Sequence, residues 1–145
     1  MRLTSFTDFG LRALMRLASA PDRAFSTAEL ADEFRLSRHH LTKIVATLAQ
    51  AGVVTTRRGG GGGAMLARPA DQIQLGDVVR LLDGQPLVEC FQAGGGGCTI
   101  IGCCRLKARL RSAEAAFLAD LDRSTLADVA LPAPEPLRPA RPVSA

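Results

Sequence analysis

Over its first fifty residues the chain repeats apolar side chains at steps of three and four, the period of α-helices buried along one face. In and just before TDFGLRALMRLAS, residues 7 to 19, Phe6, Phe9, Leu14, Leu17 and Ala18 recur at roughly helical spacing; Thr7 is the expected N-cap and Pro21-Asp22 ends the segment. A second helix fits Thr27 to Phe34, capped by Ser26 or Thr27, with Glu29 as the acid of its first turn and Ala28, Leu30, Ala31 and Phe34 as its buried stripe. After a break at Arg35-Leu36, Ser37 caps a third helix that runs to about Ala51. Its apolar positions are Leu41, Ile44, Val45, Leu48 and Ala49, and Gly52 closes it.

The period then changes. Val53 to Arg58 and Ala64 to Leu66 are β-prone runs joined by Gly59 to Gly63, the pattern of a hairpin. QLGDVVRLLD, residues 74 to 83, returns to a short helix with Val78, Val79, Leu81 and Leu82 apolar. The longest helix is expected from Arg105 to about Asp122, about 27 Å at 1.5 Å per residue. Along it Leu106, Leu110, Ala113, Phe117 and Leu121 step by four, three, four and four, as in a coiled-coil seam. A domain this small has little left to cover that seam, so a homodimer formed through it is expected; packing against its own domain is the competing outcome. From Pro132 onward five prolines fall in fourteen residues, the composition of a disordered tail.

A short helix, a tight turn and a longer helix with a polar start make a helix-turn-helix, and the hairpin directly after it is a wing. The fold class is therefore mainly α: a winged helix-turn-helix domain over residues 1–83, a loop over 84–104, a long dimerisation helix with its cap over 105–130, and a tail over 131–145. A chain of 145 residues with 47% hydrophobic content is long enough for a real core. No apolar run approaches the roughly 18 residues of a membrane span, and the start MRLTSFTDFG lacks an apolar signal-peptide core. A cytoplasmic protein without membrane association is expected.

Charge sharpens the picture. The net charge is only +4, but from Phe34 to Ala70 there are six basic residues (Arg35, Arg38, Lys43, Arg57, Arg58 and Arg68) and no Asp or Glu. Such a segment is either a solvated basic face or an attractor of polyanions, of which nucleic acid is the commonest in the cytoplasm. The helix-turn-helix pattern favours double-stranded DNA. Arg38, His39, His40, Thr42 and Lys43 cluster at the end of the third helix that enters the major groove in this motif. Thr27 and Ser37, at the starts of the second and third helices, join them as DNA-contact candidates. Arg57, Arg58 and Gly60 on the wing are candidates for phosphates or an adjacent minor groove. Adjacent helical residues point about 100° apart, so His39-His40 chelates one ion poorly. The glycine run is followed by neither Lys-Ser/Thr nor an immediate helix, which argues against a nucleotide-cradling loop.

All four cysteines fall between Glu89 and Arg111: Cys90, Cys98, Cys103 and Cys104, with Gly94 to Gly97 between the first two. The spacing C-x7-C-x4-C, with a fourth cysteine adjacent to the third, lacks the paired knuckles of a structural zinc site. Neighbouring cysteines diverge, so three of the four at most serve one centre from one chain. An iron–sulfur cluster held by three thiolates needs another kind of fourth ligand or keeps an open iron. Thiol redox sensing without metal stays open beside it, because Arg105 and Lys107 favour nearby thiolates. A redox enzyme or adaptor built on Cys103 and Cys104 is the rival from a different class, although no His or acid in sequence flanks that pair. Spacing does not choose between Cys103 and Cys104 as ligand.

Three blocks carry a likeness to known proteins: LTSFTDFGLRALMRLA, SRHHLTKIVATLAQAGVVTTRRGGGGGAMLARP and CRLKARLRSAEAAFLADLDRSTLADV. With them the chain, to about Val129, resembles the iron–sulfur winged-helix repressors that include the nitric-oxide-sensitive NsrR type and IscR, and HHLTKIV and the last block lie closer to the NsrR type. The resemblance implies a dimeric repressor of a palindromic operator that loses DNA affinity when nitric oxide attacks its cluster, 4Fe–4S in preference to 2Fe–2S. It implies Cys90, Cys98 and Cys104 as ligands, the CRLK entry to the last helix favouring Cys104 over Cys103. It further implies Asp8 of the partner subunit as the fourth ligand, with Arg12 beside it. From the residues alone, Asp8 reads only as a carboxylate suited to a helix N-terminus. The Cys90–Cys98 loop is longer than the family's usual one and Cys103 is extra, in the place of a spare thiol. A regulator of redox state or iron–sulfur supply is the alternative within the family.

Overall fold

The computed structural model describes residues 2–134. Helix α1 (Ser5–Ser19) is followed by α2 (Thr27–Phe34), α3 (Arg38–Gln50), strands β1 (Val54–Arg57) and β2 (Gly63–Leu66), α4 (Leu75–Leu82) and α5 (Leu106–Leu121). Short 3-10 turns cover Ala70–Gln72, Glu89–Phe91, Ala93–Gly95 and Leu126–Val129. The architecture of the described residues is mainly helical with one two-stranded antiparallel sheet, the winged-helix arrangement expected. The proline-rich segment from residue 135 lies outside the described residues.

The start of α1 differs from expectation. Thr4, not Thr7, is the N-cap: its hydroxyl accepts from the Thr7 amide at 3.2 Å. Thr7 is fully buried one turn in, and its hydroxyl donates to Asp83 Oδ2 at 3.1 Å. The Thr4 amide donates to the same oxygen at 3.0 Å. Both threonines could cap by local rules; a carboxylate from the end of α4 decides between them by sitting at the positive end of the α1 dipole.

In α2 the capping box forms as the sequence suggests. Glu29 donates its amide to Ser26 Oγ at 3.1 Å, and its carboxylate accepts from the Ser26 amide at 2.8 Å. That backbone bond, assisted by the nearby Arg23 guanidinium, holds the Glu29 carboxyl below its usual pKa. The helix ends on Arg35, whose φ of 54° and ψ of 48° are left-handed, a conformation usually left to glycine. Ser37 occupies the N-cap position of α3 without a side-chain capping bond.

The wing pairs Val54 with Leu66 through to Arg57 with Gly63. Phe25 adds a bridge on the far side of β2: its amide donates to the Ala64 carbonyl at 3.0 Å and its carbonyl accepts from the Ala64 amide at 2.8 Å. Gly63, at φ +149°, lies against the Phe25 backbone where a Cβ has no room, so one member of the glycine run is required by packing.

The core joins Leu14 and Leu17 of α1, Leu30 of α2, Leu41, Ile44 and Leu48 of α3, and Val78 of α4. Each is essentially removed from water, and each stripe follows the helical period of the sequence. Leu126 completes this core although it lies beyond α5. The chain returns there through hydrogen bonds from Leu75 to the Ser124 carbonyl (3.0 Å), Leu126 to Ile73 (2.8 Å) and Leu131 to Met15 (3.1 Å). Arg80 adds a two-pronged ion pair to Asp122, with N–O distances of 2.7 and 2.6 Å.

Helix α5 has no buried residue. Its seam is graded: Leu121 packs on the domain's own core, Phe117 is half-buried, and Leu106 is 60% exposed. Among the described residues, no helix is long and apolar enough to cross a membrane.

Candidate functional site

Two surfaces carry chemistry. The first is the start of α3 and the wing. Ser37, Arg38, His39, His40, Thr42 and Lys43 are all exposed, as are Arg57, Arg58 and Gly60, while Thr27 is half-buried at the start of α2. They stand on elements with buried undersides: Leu41 and Ile44 anchor α3, and Val54 anchors β1. Among the described residues, Arg35, Arg38, Lys43, Arg57 and Arg58 enter no ion pair, so their charge faces solvent uncompensated. The Thr42 hydroxyl donates to the Arg38 carbonyl at 2.8 Å, which commits its proton and leaves its lone pairs free to accept. Gly60 has nothing within 4 Å of a would-be Cβ and no left-handed φ, so the fold itself does not require glycine there.

The expected acid and base on α1 are paired. Asp8 accepts from Arg12 Nη2 at 2.7 Å and from Nε at 3.3 Å, and both side chains are about half exposed. Arg12 also lies 5.8 Å from the centre of the Phe9 ring, and that ring sits 6.2 Å from the His40 imidazole at a tilt of 53°. A continuous line of side chains therefore runs Asp8–Arg12–Phe9–His40, from α1 to the start of α3. The sequence pattern places Phe9 in the core and His40 at the DNA without connecting them.

The second surface is the cysteine loop. Cys90 lies in the turn Glu89–Phe91, and Cys98, Cys103 and Cys104 follow the glycine run. All four are free thiols; Cys103 is exposed and the others are partly buried. Cys103 Sγ donates weakly to the Ile100 carbonyl at 3.6 Å. Ile100 and Ile101 beside them are 57% and 39% exposed. Four unbridged thiols in one loop fit a thiolate-bound iron centre in kind, and glycines at φ +84°, +78° and +59° (Gly94, Gly95, Gly96) make that loop easy to reshape. Among the described residues, however, no three His, Cys, Asp or Glu side chains are gathered into a metal-binding group. The single chain supplies the donors in one loop without gathering three of them at one point.

Two positions have no signal in the sequence pattern. Asp83 ties α1 to the segment that enters the loop, and Arg111 of α5 lies 4.2 Å from the centre of the Phe91 ring. Both contacts join residues far apart along the chain, which no local periodicity reports.

A helix-turn-helix with an exposed basic reading end and a β-hairpin wing defines a DNA-binding regulator of the winged-helix class. The chain belongs to the Rrf2 family: the family model, described as an iron-dependent transcriptional regulator, matches residues 3–131. Similar solved structures include IscR from T. potens, 26% identical over 88% of this chain and 85% of that one, with a TM-score of 0.71. CymR from Staphylococcus aureus is 28% identical over 88% and 96%, with a TM-score of 0.69. CymR of B. subtilis, described as its global cysteine regulator, is 28% identical over 90% and 96%, with a TM-score of 0.67.

Proposed function

We propose that this transcriptional regulator is a homodimeric repressor that senses nitric oxide through an iron–sulfur cluster held by its cysteine loop. The observation that carries the reading is the coexistence in one chain of a DNA-facing head with a packed core and a glycine-rich loop with four free thiols, whose entry is tied to α1 by Asp83. Cys90, Cys98 and Cys104 are the thiolate ligands, and Asp8 of the partner subunit is the fourth. When bound, the cluster supplies iron that nitric oxide attacks. A 4Fe–4S centre is favoured over 2Fe–2S by the likeness to the NsrR type.

The chain's own residues then do the coupling. In the free chain the Asp8 carboxylate is neutralised by Arg12. Turning Asp8 toward a partner's loop frees Arg12, which rests over Phe9, and Phe9 touches His40 at the reading end of α3. The state of the loop in one subunit is thereby felt at the base-reading helix of the other. Allosteric links of this kind are worth about 1–3 kcal/mol, a five- to 150-fold change in DNA affinity. Two recognition helices held by a dimer at a fixed separation read a palindromic operator. The half-exposed start of the α5 seam is the surface that the second copy covers.

The test is anaerobic: purify the protein, determine iron and sulfide, titrate nitric oxide and follow binding to the organism's own promoters in the same samples. Iron and acid-labile sulfide together with DNA binding lost on nitric oxide addition is the expected result. An Asp8→Ala protein with unchanged cluster stability and nitrosylation kinetics removes Asp8 from the ligand set. A colourless protein that still binds DNA keeps the regulator and removes the cluster. The second reading, a thiol-redox or iron–sulfur-supply regulator of the same fold, is favoured by the exposed Cys103 next to Cys104 and by the likeness to Staphylococcus aureus CymR, also solved in an oxidized form. In that case oxidation of the thiols or the supply of clusters, not nitric oxide, alters DNA binding.

A further inference from the structure

The residues on either side of Cys90 have no part in that mechanism, and both are held. Glu89 Oε1 accepts a hydrogen bond from the Gly97 amide at 2.6 Å. The Glu89 side chain and carbonyl also lie against Gly96, where a Cβ would collide with them. Gly96 has φ +59° with ψ −155°, a backbone state that a side chain disfavours independently of the collision. On the other side, the Phe91 ring carries the Arg111 guanidinium at 4.2 Å. The turn that bears Cys90 is thus fastened to α5 through Phe91 and to the glycine run through Glu89. Each partner of the Glu89–Gly97 bond is followed directly by a cysteine, Cys90 and Cys98.

We infer that Glu89 is a positioning residue: its carboxylate closes the loop between Cys90 and Cys98 and presents these two thiols together before any metal arrives. Seven residues, four of them glycine, separate the two cysteines, and bringing the ends of such a segment together costs entropy. A carboxylate accepting from a backbone amide is one of the stronger hydrogen bonds available to offset that cost. Glycine at 96 is needed because Glu89 occupies the space of its side chain. The closure extends the reading of Cys90 and Cys98 as ligands, but it is a property of the metal-free chain.

The experiment uses the full chain, metal-free and reduced, with Cys103→Ser and Cys104→Ser so that only Cys90 and Cys98 remain. Dibromobimane, which becomes strongly fluorescent on bridging two neighbouring thiols, is the probe. Glu89→Ala is expected to slow bridging roughly three- to tenfold, the factor carried by one hydrogen bond. Gly96→Ala slows it comparably, while Glu89→Gln, whose amide oxygen still accepts from Gly97, restores most of the rate. Unchanged melting temperatures show that the domain remains folded, as expected for substitutions in an exposed loop. Bridging at the parent rate in both Glu89→Ala and Gly96→Ala overturns the inference. Iron and sulfide are measured in parallel on anaerobically reconstituted protein with all four cysteines. Parent protein that takes up no iron, with bridging still slowed by Glu89→Ala, refutes the cluster and upholds the closure. Parent protein that loads iron, with Glu89→Ala loading and bridging like it, refutes the closure and leaves the cluster.

Discussion

The reading head and the cysteine loop are built on opposite principles. From α1 to β2 nearly every element has a buried stripe, and α2 is closed by a reciprocal cap. From Gly84 to Cys104 no residue is fully buried, regular structure is reduced to two 3-10 turns, and three successive glycines take left-handed φ. The head holds side chains in place for a target that does not change, a DNA groove. The loop keeps its thiols exposed or partly exposed on a glycine-rich backbone, the property on which the proposed sensing role rests. Apolar burial makes the first cooperative and stiff; its absence leaves the second with little to lose when it moves.

The sharpest way to break this contrast is in the core. Leu126→Ala removes a fully buried side chain from the return segment and is expected to cost about 2–5 kcal/mol in urea unfolding, whereas Ile100→Ala in the loop stays within about 0.5 kcal/mol. Equal effects would mean that the two regions do not differ in packing as described. On the reading surface, Arg38→Ala is expected to weaken operator binding by about 1–3 kcal/mol if it reads a base. Lys43→Ala, if it contacts a phosphate, lowers the salt slope of binding by about one unit. Fluorescence anisotropy over a range of salt concentrations separates the two roles.

Smaller effects belong to the caps. Ser26→Ala is expected to cost about 1 kcal/mol by opening the capping box. Its partner Glu29 has a folded-state pKa below its ordinary value, because the Ser26 amide and Arg23 favour the carboxylate. The stability Glu29 contributes is therefore complete above its unfolded-state pKa and is lost as pH falls through the folded-state value. Thermal melts of the parent and Glu29→Gln should converge on acidification. Smallest of all, Arg35→Gly relieves a left-handed backbone at the α2–α3 turn but gains unfolded-chain entropy, so stability should rise by no more than about 0.5 kcal/mol. A clear loss there would show that the Arg35 side chain stabilises the head.

Much of the head is legible in the amino-acid order alone. The stripes Leu30–Ala31 and Leu41–Ile44–Leu48, the Ser26–Glu29 cap and the glycine-joined hairpin rest on local rules, in which a residue's neighbours in sequence are its neighbours in space. The DNA reading draws on the same patterns and on the acid-free basic segment from Phe34 to Ala70. Local rules point to Thr7 as the cap of α1 and miss Thr4, because the group that selects Thr4 is Asp83, far along the chain.

By itself the amino-acid sequence determined the helices, the wing, the acid-free basic segment and the gathering of all four thiols into one short stretch, since each depends on spacing, propensity or composition. Only the tertiary structure decided that Leu126 closes the core of the head, that Asp83 seats α1, that Phe9 joins Arg12 to His40, and that Glu89 grips the glycine run beside Cys98. Those are contacts between elements, or across a loop without a period. Their existence follows from how the whole chain minimises exposed apolar surface and unpaired polar groups, a condition that no single segment can express.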